Sequence, residues 1–164
     1  MRIIAQLIER GNKMNIFISC PISKYYNSDN KIDGDYIDFL EKIYCICSEK
    51  SNSVYLAIKN DNYNIEEMAS DEVCTLTDYN ALLQADLIFA IPEDSQGVAI
   101  ELGWASALKK KVIIAYENGY TYSSLIKALS EVTDTTLLFM DKETCYSSVD
   151  EVFFEKLKKL ISDN

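Results

Sequence analysis

The sequence predicts one doubly wound α/β domain on a five-stranded parallel sheet, and three observations lead there. Short apolar runs alternate along the chain with stretches whose apolar residues fall at helical spacing. Two of the runs stop at Pro21 and Pro92, the only prolines in the chain, as strands entering loops do. A length of 164 residues with 48% hydrophobic residues suits a single buried core.

Taken in order, residues 1–13 carry an apolar pattern (Ile3, Ile4, Leu7, Ile8) that ends at Gly11-Asn12. They read either as one or two helical turns or as an extension ahead of Met14, and the domain is placed at 14–164. Asn15 to Cys20 is the first strand, followed by a polar loop over 23–34. Asp35 to Lys50 sets Ile37, Leu40, Ile43, Tyr44 and Cys47 at helical spacing. Ser53 to Ile58 is the second strand, and an Asn/Asp-rich loop follows it. Ser70 or Asp71 caps a helix to Gln84, with Leu76, Tyr79, Leu82 and Leu83 on one side.

Ala85 to Ile91 is the clearest strand. The next helix runs from Gly97 to Lys110, and its closing lysines, Lys109 to Lys111, suit the negative end of a helix dipole. Val112 to Tyr116, a weaker helix at 123–130, a strand from Thr136 to Met140 and a last amphipathic helix from Val149 to Ile161 complete the order. Strict strand–helix alternation of this kind gives a parallel sheet covered on both faces, a Rossmann- or flavodoxin-like architecture.

Composition narrows the function. A net charge of −10, from 16 basic and 26 acidic residues, opposes binding to polymeric nucleic acid, which depends on Lys and Arg displacing counterions. A single phosphate remains compatible, because backbone amides and hydroxyls hold one without net positive charge. The five cysteines form no CxxC pair and no metal spacing, so they read as reduced thiols of a cytoplasmic protein. No apolar run is long enough to cross a bilayer, and no signal peptide is expected. The chain has no histidine, which removes Ser-His-Asp and Cys-His mechanisms and His-ligated zinc. Acid–base work falls to carboxylates, and neither metal nor cofactor is expected.

In open parallel sheets, ligands sit outside the carboxyl ends of the strands. The loop after the first strand, with Ser23 and Lys24, lacks both the GxGxxG fingerprint and the Walker lysine. The loop after the third, Pro92-Glu-Asp-Ser95-Gln-Gly97, opens a helix whose first turns hold Glu101. Ser95 and the amides near Gly97 suit a phosphate or hydroxyl there, and Gly97 lets backbone approach a ligand closely. Glu101, between Ile100 and Leu102 on an otherwise apolar helix, faces either solvent or the pocket.

The wider pattern is Asp78, then Ala85-Asp86, an apolar strand, Ser95-Gln-Gly97, and Glu101-Leu-Gly103-Trp-Ala105, with Asp78 lying 23 residues before Glu101. It resembles the nucleoside 2-deoxyribosyltransferase superfamily, over about residues 15–140. The resemblance implies that Glu101 is a nucleophile with Asp78 as its partner. A serine six residues before the glutamate marks the nucleoside 5′-monophosphate N-glycosidases, and Ser95 stands there. Ser123 resembles a second phosphate-binding serine, donated by a neighbouring subunit, which implies a homodimer or larger assembly. Phe17 stands where the 2′-deoxynucleotide hydrolases carry a Tyr, and Cys20 stands for a Gly. That leaves room for a ribose 2′-hydroxyl and resembles the hydrolases of CMP and hydroxymethyl-CMP in the mildiomycin and bacimethrin pathways.

The implied reaction is attack by Glu101 on C1′ and then release of ribose 5-phosphate by water. Asp78 either orients the sugar or Glu101, or passes a proton to the departing base. The substrate-binding set is Phe17, Ser23, Ser95, Gly97 and Ser123. The competing functions are a 2-deoxyribosyltransferase, a 2′-deoxynucleotide N-glycosidase and a non-catalytic nucleotide sensor. Asp86 is read as a structural partner of nearby amides and Trp104 as a packing or interface residue. Lys24 is either solvated or near phosphate, and Tyr25 and Tyr26 either stack on the base or pack their loop.

Overall fold

The structure, a computed structural model, describes residues 14–142 and 145–164. The segment 1–13 therefore lies outside the described residues. Five strands, β1 (Asn15–Ser19), β2 (Ser53–Leu56), β3 (Leu87–Ala90), β4 (Lys111–Glu117) and β5 (Thr135–Met140), form one sheet in the order β2-β1-β3-β4-β5. Every pairing is parallel, as the continuous apolar runs require.

Four helices cover the sheet: α1 (Gly34–Lys50), α2 (Asp71–Gln84), α3 (Gln96–Ala107) and α4 (Glu151–Asp163). The chain steps from β1 outward to β2 and then back across to β3 and onward to β4. With right-handed crossovers this reversal puts α1 on one face and α2 and α3 on the other. The buried residues divide accordingly. Phe39, Leu40, Ile43, Phe153 and Leu157 of α1 and α4 pack with Ile16, Ile18 and Phe89, whereas Leu82, Val98, Leu102 and Ala105 of α2 and α3 pack with Phe17, Ile88 and Ile114. Alternate residues of each strand serve opposite faces, so β1 sends Phe17 towards α2 and α3.

Caps fix three helix starts. Asp33, Ser95 and Asp150 accept from the amides of Tyr36, Val98 and Phe153. At the bottom of the sheet, Asp86 accepts from the Asn15 amide at 2.8 Å while its own amide donates to the Asn15 carbonyl, the structural role expected of it.

Three expectations are corrected. The second strand ends at Leu56, not Ile58, and Ala57–Asn60 form one helical turn. β2 is an edge strand bonded only to β1, so nothing on its outer side holds the chain extended. The helix carrying Glu101 ends at Ala107, because Lys109 adopts a left-handed φ of 55°. Its lysines do not cap it. Lys109 donates to the Val132 carbonyl at 2.8 Å, and Lys110 donates to the carbonyls of Leu83 and Ala85 at 2.7 Å each, closing the end of α2. Finally, the apolar side predicted for α2 does not all face the sheet. Leu82 is buried, but Leu76, Tyr79 and Leu83 are exposed, as is Ile100 on α3. Beside them Trp104 meets Tyr79 edge-on, with centroids 5.2 Å apart. No described helix is long and apolar enough to cross a membrane.

Candidate active site

The carboxyl ends of β1 and β3 lie side by side, with Ser19 in register with Ala90. Here the connections diverge to opposite sides, opening a crevice at the sheet edge. Ser23, Asp78, Ser95, Gly97 and Glu101 all line one cavity of about 480 Å³ in that crevice, with Cys20, Tyr26 and Met68. Five of the seven residues singled out in the sequence thus converge.

Glu101 sits on the second turn of α3, with its carboxylate over the end of β1. Its Oε2 accepts from the hydroxyl of Ser19, a side chain only 1% exposed. Burial pushes the Glu101 carboxyl up to about 7. The Ser19 bond opposes that rise and the nearby Asp78 charge adds to it.

Asp78, on α2, is held similarly from the neighbouring strand, where the Tyr55 hydroxyl donates to its Oδ1 at 2.7 Å. Its pKa is also raised by burial, with Tyr55 opposing and Asp61 contributing. Each carboxylate therefore has one fixed donor, from β1 and β2 respectively. Cys20 lines the same cavity, but burial drives its thiol up to about 12, so it stays protonated and is no competing nucleophile.

The cavity continues in two directions. Towards α3 it shares Ile22, Ser23, Ser95 and Gly97 with a space of about 370 Å³ that Lys24, Asp94 and Gln96 also line. Ser95 Oγ accepts from the Val98 amide at 3.3 Å, which uses a lone pair and leaves the hydroxyl proton to donate. A Cβ added at Gly97 would meet only Ser95 Oγ, at 3.7 Å, so packing does not require glycine and its open side belongs to the cleft. In the other direction the cavity shares Ile22, Met68 and Asp78 with a smaller space of about 110 Å³, lined also by Tyr55, Asp61 and Cys74. The result is one cleft with hydroxyls, amides and a lysine at one end, carboxylates in the middle and a narrow acidic recess at the other end.

Two expected residues are not in this cleft. Phe17 does not line it. Its ring is buried in the core and stacks on Tyr55 at 5.2 Å, so its contact with the site runs through the tyrosine that binds Asp78. Ser123 is exposed in the segment that follows β4, where its hydroxyl accepts from the Ile126 amide and caps a single helical turn. Tyr25 packs its loop, stacking on Tyr36 with centroids 3.8 Å apart, whereas Tyr26 faces the cleft beside Met68.

Sequence reasoning missed Ser19, Tyr55 and Glu93. The last is 5% exposed, with a left-handed φ of 34°, and its carboxylate accepts from Tyr25, Tyr146, Lys24 and Lys142. Its position directly after Pro92 gave no hint of burial. Among the described residues no three Cys, Asp or Glu side chains converge closely enough to hold a metal ion.

This α/β domain, with a carboxylate pair at its switch point, has a fold shared by known nucleotide- and nucleoside-processing proteins. The CMP N-glycosidase BcmB of Clostridium botulinum is 24% identical and superposes with a TM-score of 0.62, over 92% of this chain and 99% of that one. The solution structure of BlsM gives 0.71 at 19% identity, over 94% and 93% of the two chains. A 2-deoxyribosyltransferase from Bacillus psychrosaccharolyticus gives 0.51 at 17% identity, over 85% and 95%. The sequence matches no family model, and no curated protein matches it at a significant level.

Proposed function

We propose that this protein is an N-glycosidase that hydrolyses a pyrimidine nucleoside 5′-monophosphate, CMP or 5-hydroxymethyl-CMP, to free base and ribose 5-phosphate. The observation that carries the reading is the pairing of Glu101 and Asp78 in one cleft whose α3 end suits a phosphate. The shared fold with a CMP N-glycosidase supports the same substrate class.

The ionised Glu101 carboxylate attacks C1′ while the C1′–N bond breaks and its electrons leave with the base. Asp78, whose pKa burial raises, either passes a proton to the departing nitrogen or orients the sugar. Water then attacks C1′ of the glycosyl ester and frees both Glu101 and the sugar phosphate. Ser95 and the first-turn amides of α3 receive the 5′-phosphate, with Gly97 and Ser23 shaping that end. Ser123 serves the site of a second copy, and the exposed apolar surface of α2 and α3 suits the burial that such an assembly needs.

Incubation with CMP, dCMP and deoxycytidine, with and without an acceptor base, tests the reading through release of free cytosine. The expected result is release from the monophosphate without an acceptor, and a loss of several orders of magnitude in Glu101→Ala. Release only from deoxycytidine, and only with an acceptor, would establish a transferase instead.

A further inference from the structure

Among the described residues Glu93 is the only charged side chain that is buried, and it accepts from four donors, Lys24 and Tyr25 after β1 and Lys142 and Tyr146 after β5. Tyr25 donates at 2.8 and 2.9 Å to its two oxygens and Lys142 at 3.0 Å, while Tyr146 and Lys24 make closer contacts. Burial alone would raise its pKa, but the Lys24, Tyr146, Lys142 and Tyr25 bonds outweigh burial and hold it below the usual carboxylate range. The residue is therefore an anion, at the turn leading into Ser95.

The two lysines differ. Lys142 is 14% exposed, is bound also by Glu117 at 3.4 Å and does not line the phosphate end of the cleft. Lys24 is 46% exposed and is the only cationic side chain among the residues lining that end, where Asp94 would otherwise repel an anion.

We propose that Lys24 meets the substrate's 5′-phosphate by exchanging partners, leaving the Glu93 carboxylate for the phosphate dianion. This rests on the nucleotide reading above. Glu93 tolerates the exchange because Lys142, which it shares with Glu117, and two tyrosine hydroxyls remain on it, so its carboxylate stays paired and hydrogen-bonded. The phosphate gains a cation that the acidic chain otherwise withholds, and Lys24 gains a doubly charged partner.

Calorimetric titration with ribose 5-phosphate and with inorganic phosphate tests this on wild type, Lys24→Gln, Lys24→Arg and Lys142→Gln. Lys24→Gln is expected to weaken both ligands about tenfold or more, the scale of one charge-assisted hydrogen bond, while Lys24→Arg retains most of the affinity. Lys142→Gln is expected to lower the Tm and leave phosphate affinity unchanged. Equal affinity in Lys24→Gln and wild type would overturn the exchange and leave the nucleotide reading standing. Equal losses in Lys24→Gln and Lys142→Gln would show a purely structural cluster and overturn it too. If wild type binds neither phosphate ligand and cleaves no nucleotide, both readings fall, whereas cleavage without phosphate affinity removes the exchange alone.

Discussion

In the proposed mechanism Glu101 must be ionised to attack, yet its surroundings favour the proton. A carboxyl whose folded pKa is raised to about 7 stabilises the fold most below its unfolded value near 4.5, and that contribution is lost as the pH climbs through about 7. Activity should rise over the same interval, so the site gains its nucleophile where the fold loses stability. Ser19 moderates this conflict, because its bond to Glu101 favours the anion. Ser19→Ala is expected to move the acidic limb of the pH–rate profile to higher pH and to cut kcat at pH 7 by about tenfold, with recovery at higher pH. An unshifted profile would leave Ser19 as core packing only. Asp78, Ser95 and Glu101 were legible in the sequence because they sit in a local pattern with fixed spacing. Ser19, Tyr55 and Glu93 were not, since each acts through a partner 82, 23 or 53 residues away, and only the folded chain brings them together.

The strands were legible because burial on both faces leaves an uninterrupted apolar run, and all five appear close to where the sequence places them. Helix ends were less so. Nothing local in Lys109-Lys110-Lys111 says that the first turns left-handed or that the second reaches the end of a different helix. That reach has a mechanical meaning, since Lys110 ties the end of α2, which carries Asp78, to the segment following α3, which carries Glu101. Lys110→Met keeps the aliphatic stem and removes both bonds to the Leu83 and Ala85 carbonyls. It should destabilise the fold by about 1–3 kcal/mol in chemical denaturation, with a fall in kcat exceeding any change in KM. Full stability in that variant would mean that water replaces the ammonium without loss.

For the molecule as a whole, α3 is apolar on nearly every side, and a helix of that kind is ordinarily covered all round. Here the sheet covers Val98, Leu102 and Ala105, while Ile100 stands 54% exposed, and Leu76 on α2 is 61% exposed. The proposed role of Ser123 in another subunit's site would make a second copy the occupant. Ile100→Asp should convert the assembly to a monomer in sedimentation velocity and reduce nucleotide turnover more than tenfold. Mixing Ser123→Ala with Glu101→Ala chains should then restore activity in part, since one hybrid site is intact. An assembly unaffected by Ile100→Asp would place the interface elsewhere.

Trp104 is the sole tryptophan of the chain, and it lies at the edge of Tyr79 on the helix that carries Glu101. The protein thus contains its own optical gauge. Indole emission reports the polarity around that ring alone, undiluted by other tryptophans, so a shift of the emission on dilution would register the dissociation of any assembly that covers it. The same signal, followed on mixing with nucleotide, would time any movement of α3 as the cleft fills.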